Sequence, residues 1–212
     1  MLTETDPQAA AHIAKRLTLT IHKKRALADM RLLAGDYDGA LDLMVPTRRG
    51  FGFGYLLDAR IAAALLMSGD PSAALELIEN HPDADISVRP FAVLRGLCHL
   101  ELGHRAAAEA EILAEARLGA SGRLQHGVDA AALIGMAALA HDAGDDDWAA
   151  DILLNLGPVF LIAHQTLARW IARRIGVLDQ YHQTRVENFG KTLPSAAPHP
   201  RQVLARWDET HA

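Results

Sequence analysis

The chain has 212 residues, 50% of them hydrophobic and 22% charged, with a formal net charge of −5. This balance excludes a disordered chain and gives no general attraction to nucleic acid or to anionic membrane surfaces. A single cysteine, Cys98, excludes an internal disulfide and suits a reducing compartment, and no run approaches the ~20 apolar residues of a membrane span. The N-terminus, Met-Leu-Thr-Glu-Thr-Asp, lacks the basic start and apolar run of a secretory signal, so a cytoplasmic location is expected. Aromatic residues make up only 5%, and the alanine-rich apolar fraction favours helix throughout.

Asp6-Pro7 has the form of a helix start, cap followed by proline, and predicts a leading helix. The alternation in Leu17-Thr18-Leu19-Thr20-Ile21 is too short to establish a strand, and the first repeat helix is expected from about His22 to Leu33. It ends at Gly35-Asp36-Tyr37-Asp38-Gly39-Ala40-Leu41. Similar stretches follow at Gly69-Asp70-Pro71-Ser72-Ala73-Ala74-Leu75 and at Gly103-His104-Arg105-Ala106-Ala107-Ala108. These three glycines stand at a constant spacing of 34 residues, the mark of stacked helical repeats. A fourth turn at Gly144-Asp145 comes 41 residues after Gly103. The surplus is assigned to a longer loop around Gly119-Ala120-Ser121-Gly122-Arg123.

The grammar is the same each time. The glycine can take the left-handed conformation that ends one helix, and Asp36, Asp70 or Asp145 can cap the next. Seven residues before each glycine stands a small residue (Ala28, Ala62, Gly96, Ala137), and five after it an alanine (Ala40, Ala74, Ala108, Ala149). Nine after it comes a larger apolar side chain (Met44, Ile78, Ile112, Leu153). Small residues where helices cross, with a larger one a turn further on, are what close helix packing needs.

Over about Thr20 to Gly157 the chain resembles the tetratricopeptide-repeat family, through the Gly35 to Leu41 turn and these columns. It departs from the family where a large aromatic usually begins the first helix, having Lys24, Asp58, Ala92 and Leu133 there, and it lacks the closing prolines. The resemblance implies an all-α fold, a right-handed α-solenoid of antiparallel helix pairs with a C-terminal capping helix. The expected single domain covers 1–189, with repeats at about 22–55, 56–89, 90–130 and 131–157 and capping helices in 158–189. Within the cap, an apolar helix with a basic end precedes a break at Gly176, and Val177 to Phe189 can form one more helix. The prolines of 190–212 predict a flexible tail, whose Val203-Leu204-Ala205-Arg206-Trp207 can form a short docking helix.

Several chemical motifs fail on spacing or context. Arg49-Gly50-Phe51-Gly52-Phe53 matches the opening of an RNA-recognition signature, yet the β-strand that gives that signature its meaning is absent. It is read as the connection between the first two repeats, with Phe51, Phe53 and Tyr55 as aromatic anchors for a protein partner. His99 and His104 are five apart with Gly103 between them, not the four-residue spacing of a zinc helix. Asp142, Asp145, Asp146 and Asp147 lack the alternation of a calcium loop. Gly190-Lys191-Thr192 lacks the upstream glycine of a phosphate loop, having Arg185 instead. Cys98 falls on the apolar side of the third repeat and is read as a buried structural thiol. No metal, cofactor or catalytic set is therefore expected.

The resemblance also implies a concave groove lined by the first helix of each pair. Carried over by position, the first repeat contributes His22, Arg25, Asp29 and Leu32, and the second Leu56, Ala59, Ala63, Leu66 and Met67. The third contributes Val93, Leu97, Leu100 and Glu101, and the fourth Ala131, Ile134, Ala138 and His141. This lining is mostly apolar and lacks the Lys/Arg/Asn clamp that family members close on a terminal carboxylate. It suits a partner's amphipathic helix, or else it is filled by the chain's own terminal helices or by a second copy. The functional expectation is a non-catalytic adaptor that binds a protein or peptide, with a homodimer possible and no nucleic-acid or membrane partner. The alternative is a signal-sensing domain that binds a small ligand or peptide and acts through a separate output protein.

Overall fold

A computed structural model describes residues 20–50, 54–81, 89–121, 127–156, 159, 161–187 and 199–211. The leading helix expected from Pro7 and the loop residues Phe51 and Phe53 lie outside the described residues. The chain is all-helical and built from helix pairs that pack on one another in sequence. The first pair is α1 (Thr20–Ala34) and α2 (Tyr37–Met44), followed by a 3-10 turn at Val45–Gly50. The second is α3 (Gly54–Ser68) and α4 (Pro71–Glu79), the third α5 (Arg89–Glu101) and α6 (Arg105–Ala120). The fourth is α7 (Gly127–Asp142) and α8 (Asp146–Leu154). Then come α9 (Ile162–Arg174) with α10 (Leu178–Glu187), and α11 (Pro200–His211).

The turns explain the pairing. Gly35, Gly69, Gly103, Gly144 and Gly176 have φ of +85°, +96°, +75°, +86° and +78°, a region that side-chain-bearing residues avoid. At each, the glycine N–H and the next N–H fold back on carbonyls three and five residues earlier, as Gly69 does to Leu66 at 3.2 Å and Asp70 to Leu65 at 2.9 Å. The aspartate that closes one helix then opens the next. Asp36, Asp70 and Asp145 each accept a backbone N–H at 3.0 Å, from Gly39, Ala73 and Trp148. His104 makes no such side-chain bond at the start of α6.

The repeated columns are buried as a set. Ala28, Ala62 and Ala137, then Ala40, Ala74, Ala108 and Ala149, and then Met44, Ile78, Ile112 and Leu153 all belong to the core. Ile112 shows how closely the helices approach. A Cβ on Gly96 of α5 would lie 2.5 Å from it, and one on Gly135 of α7 would lie 2.8 Å from it. The helix junction therefore requires glycine on both sides of a single isoleucine. Asp58 is buried beside Arg48 at 2.9 Å and His81 at 3.5 Å. It thus ties the 3-10 turn and the end of α4 to α3.

The end of the strand-like run is helix, since Thr20 and Ile21 open α1, in keeping with its helical surroundings. One expectation needs revision. The loop assigned to Gly119-Ala120-Ser121-Gly122-Arg123 begins later than expected, because α6 continues through Gly119 and Ala120. Its Ala, Glu, Leu and Arg residues are strong helix formers, and they carry it over a single glycine. The docking helix expected at Val203 to Trp207 forms within the longer α11, which docks on α6 and α7 through buried Val203 and Trp207. Arg206 reaches Asp145 at 3.0 Å, and the Trp207 ring stacks on Trp148 and on His211. Among the described residues no helix is long and apolar enough to cross a membrane.

Candidate functional site

The first helices form one layer, with α3 on α5 and α5 on α7. Against that layer lies α9, which touches α1, α3 and α7 together. Its Ile162 packs on the small core of Ala28, Leu32, Ala40 and Met44. Its Ala163, Leu167, Ala168 and Ile171 join the main core with Ala59, Ala63, Leu66 and Met67. The layer is therefore covered along much of its length by the chain's own α9.

This cover is unusually polar. His164, Gln165, Thr166 and Arg169 are all buried on α9. Arg169 donates to the Leu33 carbonyl at the end of α1, at 2.9 Å, and the Gln165 amide donates to Val159 at 2.6 Å. Thr166 bonds back to the Ile162 carbonyl at 2.7 Å, within its own helix. Among the described residues, His164 Nε2 and Gln165 Oε1 have no hydrogen-bond partner. Burial pushes the His164 imidazole down to about 4, so it sits neutral in the core.

The expected groove residues separate into three groups. His22 and Arg25 are exposed on α1, and nearby Asp29 pairs with Arg60 at 3.2 Å. Burial raises the Asp29 carboxyl above its ordinary range, against the pull of Arg60 and Arg25, and burial likewise lowers Arg60. Leu32, Ala59, Ala63, Leu66, Met67, Val93, Ala131 and Ile134 are core, and Leu56 is half-buried. A charge at Leu66 would therefore break packing before it could report on any groove. Of the aromatic loop, Tyr55 falls in the first turn of α3.

The third group converges. Leu97, Leu100 and Glu101 in the last turns of α5 meet Ala138, His141 and Asp142 of α7 around a cavity of about 260 Å³. The third wall is Trp170, Ile171 and Arg174 at the end of α9. Leucine, alanine and isoleucine side chains form its floor, while charged groups stand at its rim. Arg174 pairs with Glu101 and lies over the Trp170 ring, 4.7 Å from its centre. Asp142 pairs with Arg105 at 3.2 Å, and His141 meets Asp146 at 2.6 Å. The α5 members and Ala138 and His141 of α7 were accessible through their repeat columns, and Asp142 was not among them. Trp170, Ile171 and Arg174 were missed because α9 carries no copy of the repeat; an aromatic beside a basic pair at a helix end was the available signal.

Cys98 stands one turn inside this site but is fully buried. Burial, and then the Glu101 carboxylate, push its thiol up to about 12, so no thiolate nucleophile forms near neutral pH. Among the described residues no group of three His, Cys, Asp or Glu side chains is placed to hold a metal ion. Comparison of the chain with protein-family models, curated proteins and solved structures gives no match.

Proposed function

We propose that the chain is a non-catalytic interaction module of tetratricopeptide type, which binds a peptide or helix of a partner protein at the open end of its inner helix layer. The observation that carries this reading is the cavity between the last turns of α5, α7 and α9, with a half-exposed tryptophan over an apolar floor. Such a pocket is where one side chain of a partner can be desolvated, and a rim of paired charges can fix its register. The remainder of the layer is covered by α9, so the partner is expected to engage the end of the layer and not its whole length.

The test compares proteins recovered from the native extract by the wild-type chain, by Trp170→Ala, and by Ser72→Arg on exposed α4 as a control. Proteins recovered by wild type and control but lost with Trp170→Ala support the reading; equal recovery by all three ends it. The cavity's size also favours a second reading, a sensor for a small ligand, since it is below the ~300 Å³ typical of drug-sized sites. That reading expects a thermal shift with the small-molecule fraction of the same extract.

A further inference from the structure

Resting on that peptide-binding reading, we infer that the pocket takes a cationic side chain, lysine or arginine, presented by a partner segment with apolar residues on either side. The three walls of the cavity are the C-terminal turns of three helices. Two carboxylates, Glu101 and Asp142, stand on the same rim, each paired with an arginine, Arg174 and Arg105. The structure itself displays a cation in this setting. Arg174 is ion-paired to Glu101 and stacked over Trp170, so carboxylate and aromatic face already cooperate in holding positive charge.

Arg174 is exposed and its long side chain can swing outward, which leaves the Trp170 face and the Glu101 oxygens to a guest. The guest's methylene stem then lies along Leu97, Leu100 and Ile171, as long basic side chains do on apolar surfaces. An acidic guest is disfavoured, because with Arg174 swung outward it would face the Glu101 carboxylate without its partner. The partner class is therefore opposite in charge to the terminal carboxylate held by a Lys/Arg/Asn clamp.

A random twelve-residue peptide display library selected on the full chain tests this. The expected result is enrichment of peptides with one Lys or Arg flanked by Leu, Ile, Val or Met. Their affinity should fall about tenfold or more when that residue becomes norleucine, when salt is raised, and in the Glu101→Gln/Asp142→Asn variant. Circular dichroism melts confirm that the variant folds, and the norleucine and salt arms stand without it. Enriched peptides with no basic residue, or with binding unchanged in all three arms, overturn the inference and leave the peptide reading intact. No enrichment, or equal enrichment on Trp170→Ala, overturns both. If agmatine alone binds as tightly as the best peptide, the cation comes from a small amine and the peptide source is overturned.

Discussion

Ile112 reaches between Gly96 and Gly135, and neither neighbour has room for one more carbon. Gly96→Ala or Gly135→Ala is therefore expected to destabilise by about 1–3 kcal/mol through overpacking, although alanine is the better helix former. In an Ile112→Ala background the sign should reverse, because the obstruction is gone and the helix propensity remains. Urea denaturation of the four members of each cycle reads this coupling directly. A second residue-scale prediction concerns His104, which occupies an aspartate position without making the aspartate's bond. His104→Asp should stabilise by about 0.5–1 kcal/mol, measured the same way. Gly96 was visible in sequence because it shares a column with Ala28, Ala62 and Ala137. Gly135 was not, since what singles it out is a contact with another helix and no local pattern records that.

At the scale of the element, α9 decides the outcome. It is nearly surrounded, yet it carries His164, Gln165, Thr166 and Arg169 into the core. The folded His164 titrates near 4, below its ordinary 6.5. Between those values the unfolded chain binds a proton that the folded chain refuses. Stability is thus fully present above about pH 6.5 and falls as the pH drops toward 4, by about 3 kcal/mol across the window. Urea midpoints at pH 7.5 and pH 4.5 should differ accordingly, and His164→Leu should flatten the slope that this histidine contributes. The repeat turns were legible because they are local: a glycine, an acid and a fixed spacing. The seat of α9 was not. Composition marks it as a basic-ended apolar helix, and only the packing reveals that its polar residues face inward. The same blindness hid one wall of the pocket, because Trp170, Ile171 and Arg174 belong to this element.

At the scale of the molecule, α11 covers α6 and α7, as α9 covers α1, α3 and α7. Trp207 is buried against Trp148, and Asp145 both caps α8 and holds Arg206. Trp207→Ala is expected to lower stability by about 3–5 kcal/mol, and the fluorescence of Trp148 should shift toward that of a solvated indole. The longer α6 belongs to the same arrangement: the residues that break the 34-residue period extend the surface on which α11 rests. A sequence pattern can show that the period fails at this place. It cannot show that a helix from the far end of the chain is the reason.

The bond from Arg169 to the Leu33 carbonyl spans 136 residues and joins the fifth pair to the first. An open row of repeats has two loose ends, so its length can drift by duplication or deletion of a unit while each remaining neighbour keeps its contacts. Here the last pair must meet both its predecessor and the start of the row. Adding or removing one unit would move α9 away from α1, break the bond from Arg169 to the Leu33 carbonyl and open the cavity's third wall. The number of units is therefore a fixed property of this protein, set by closure and not by how many copies happened to accumulate.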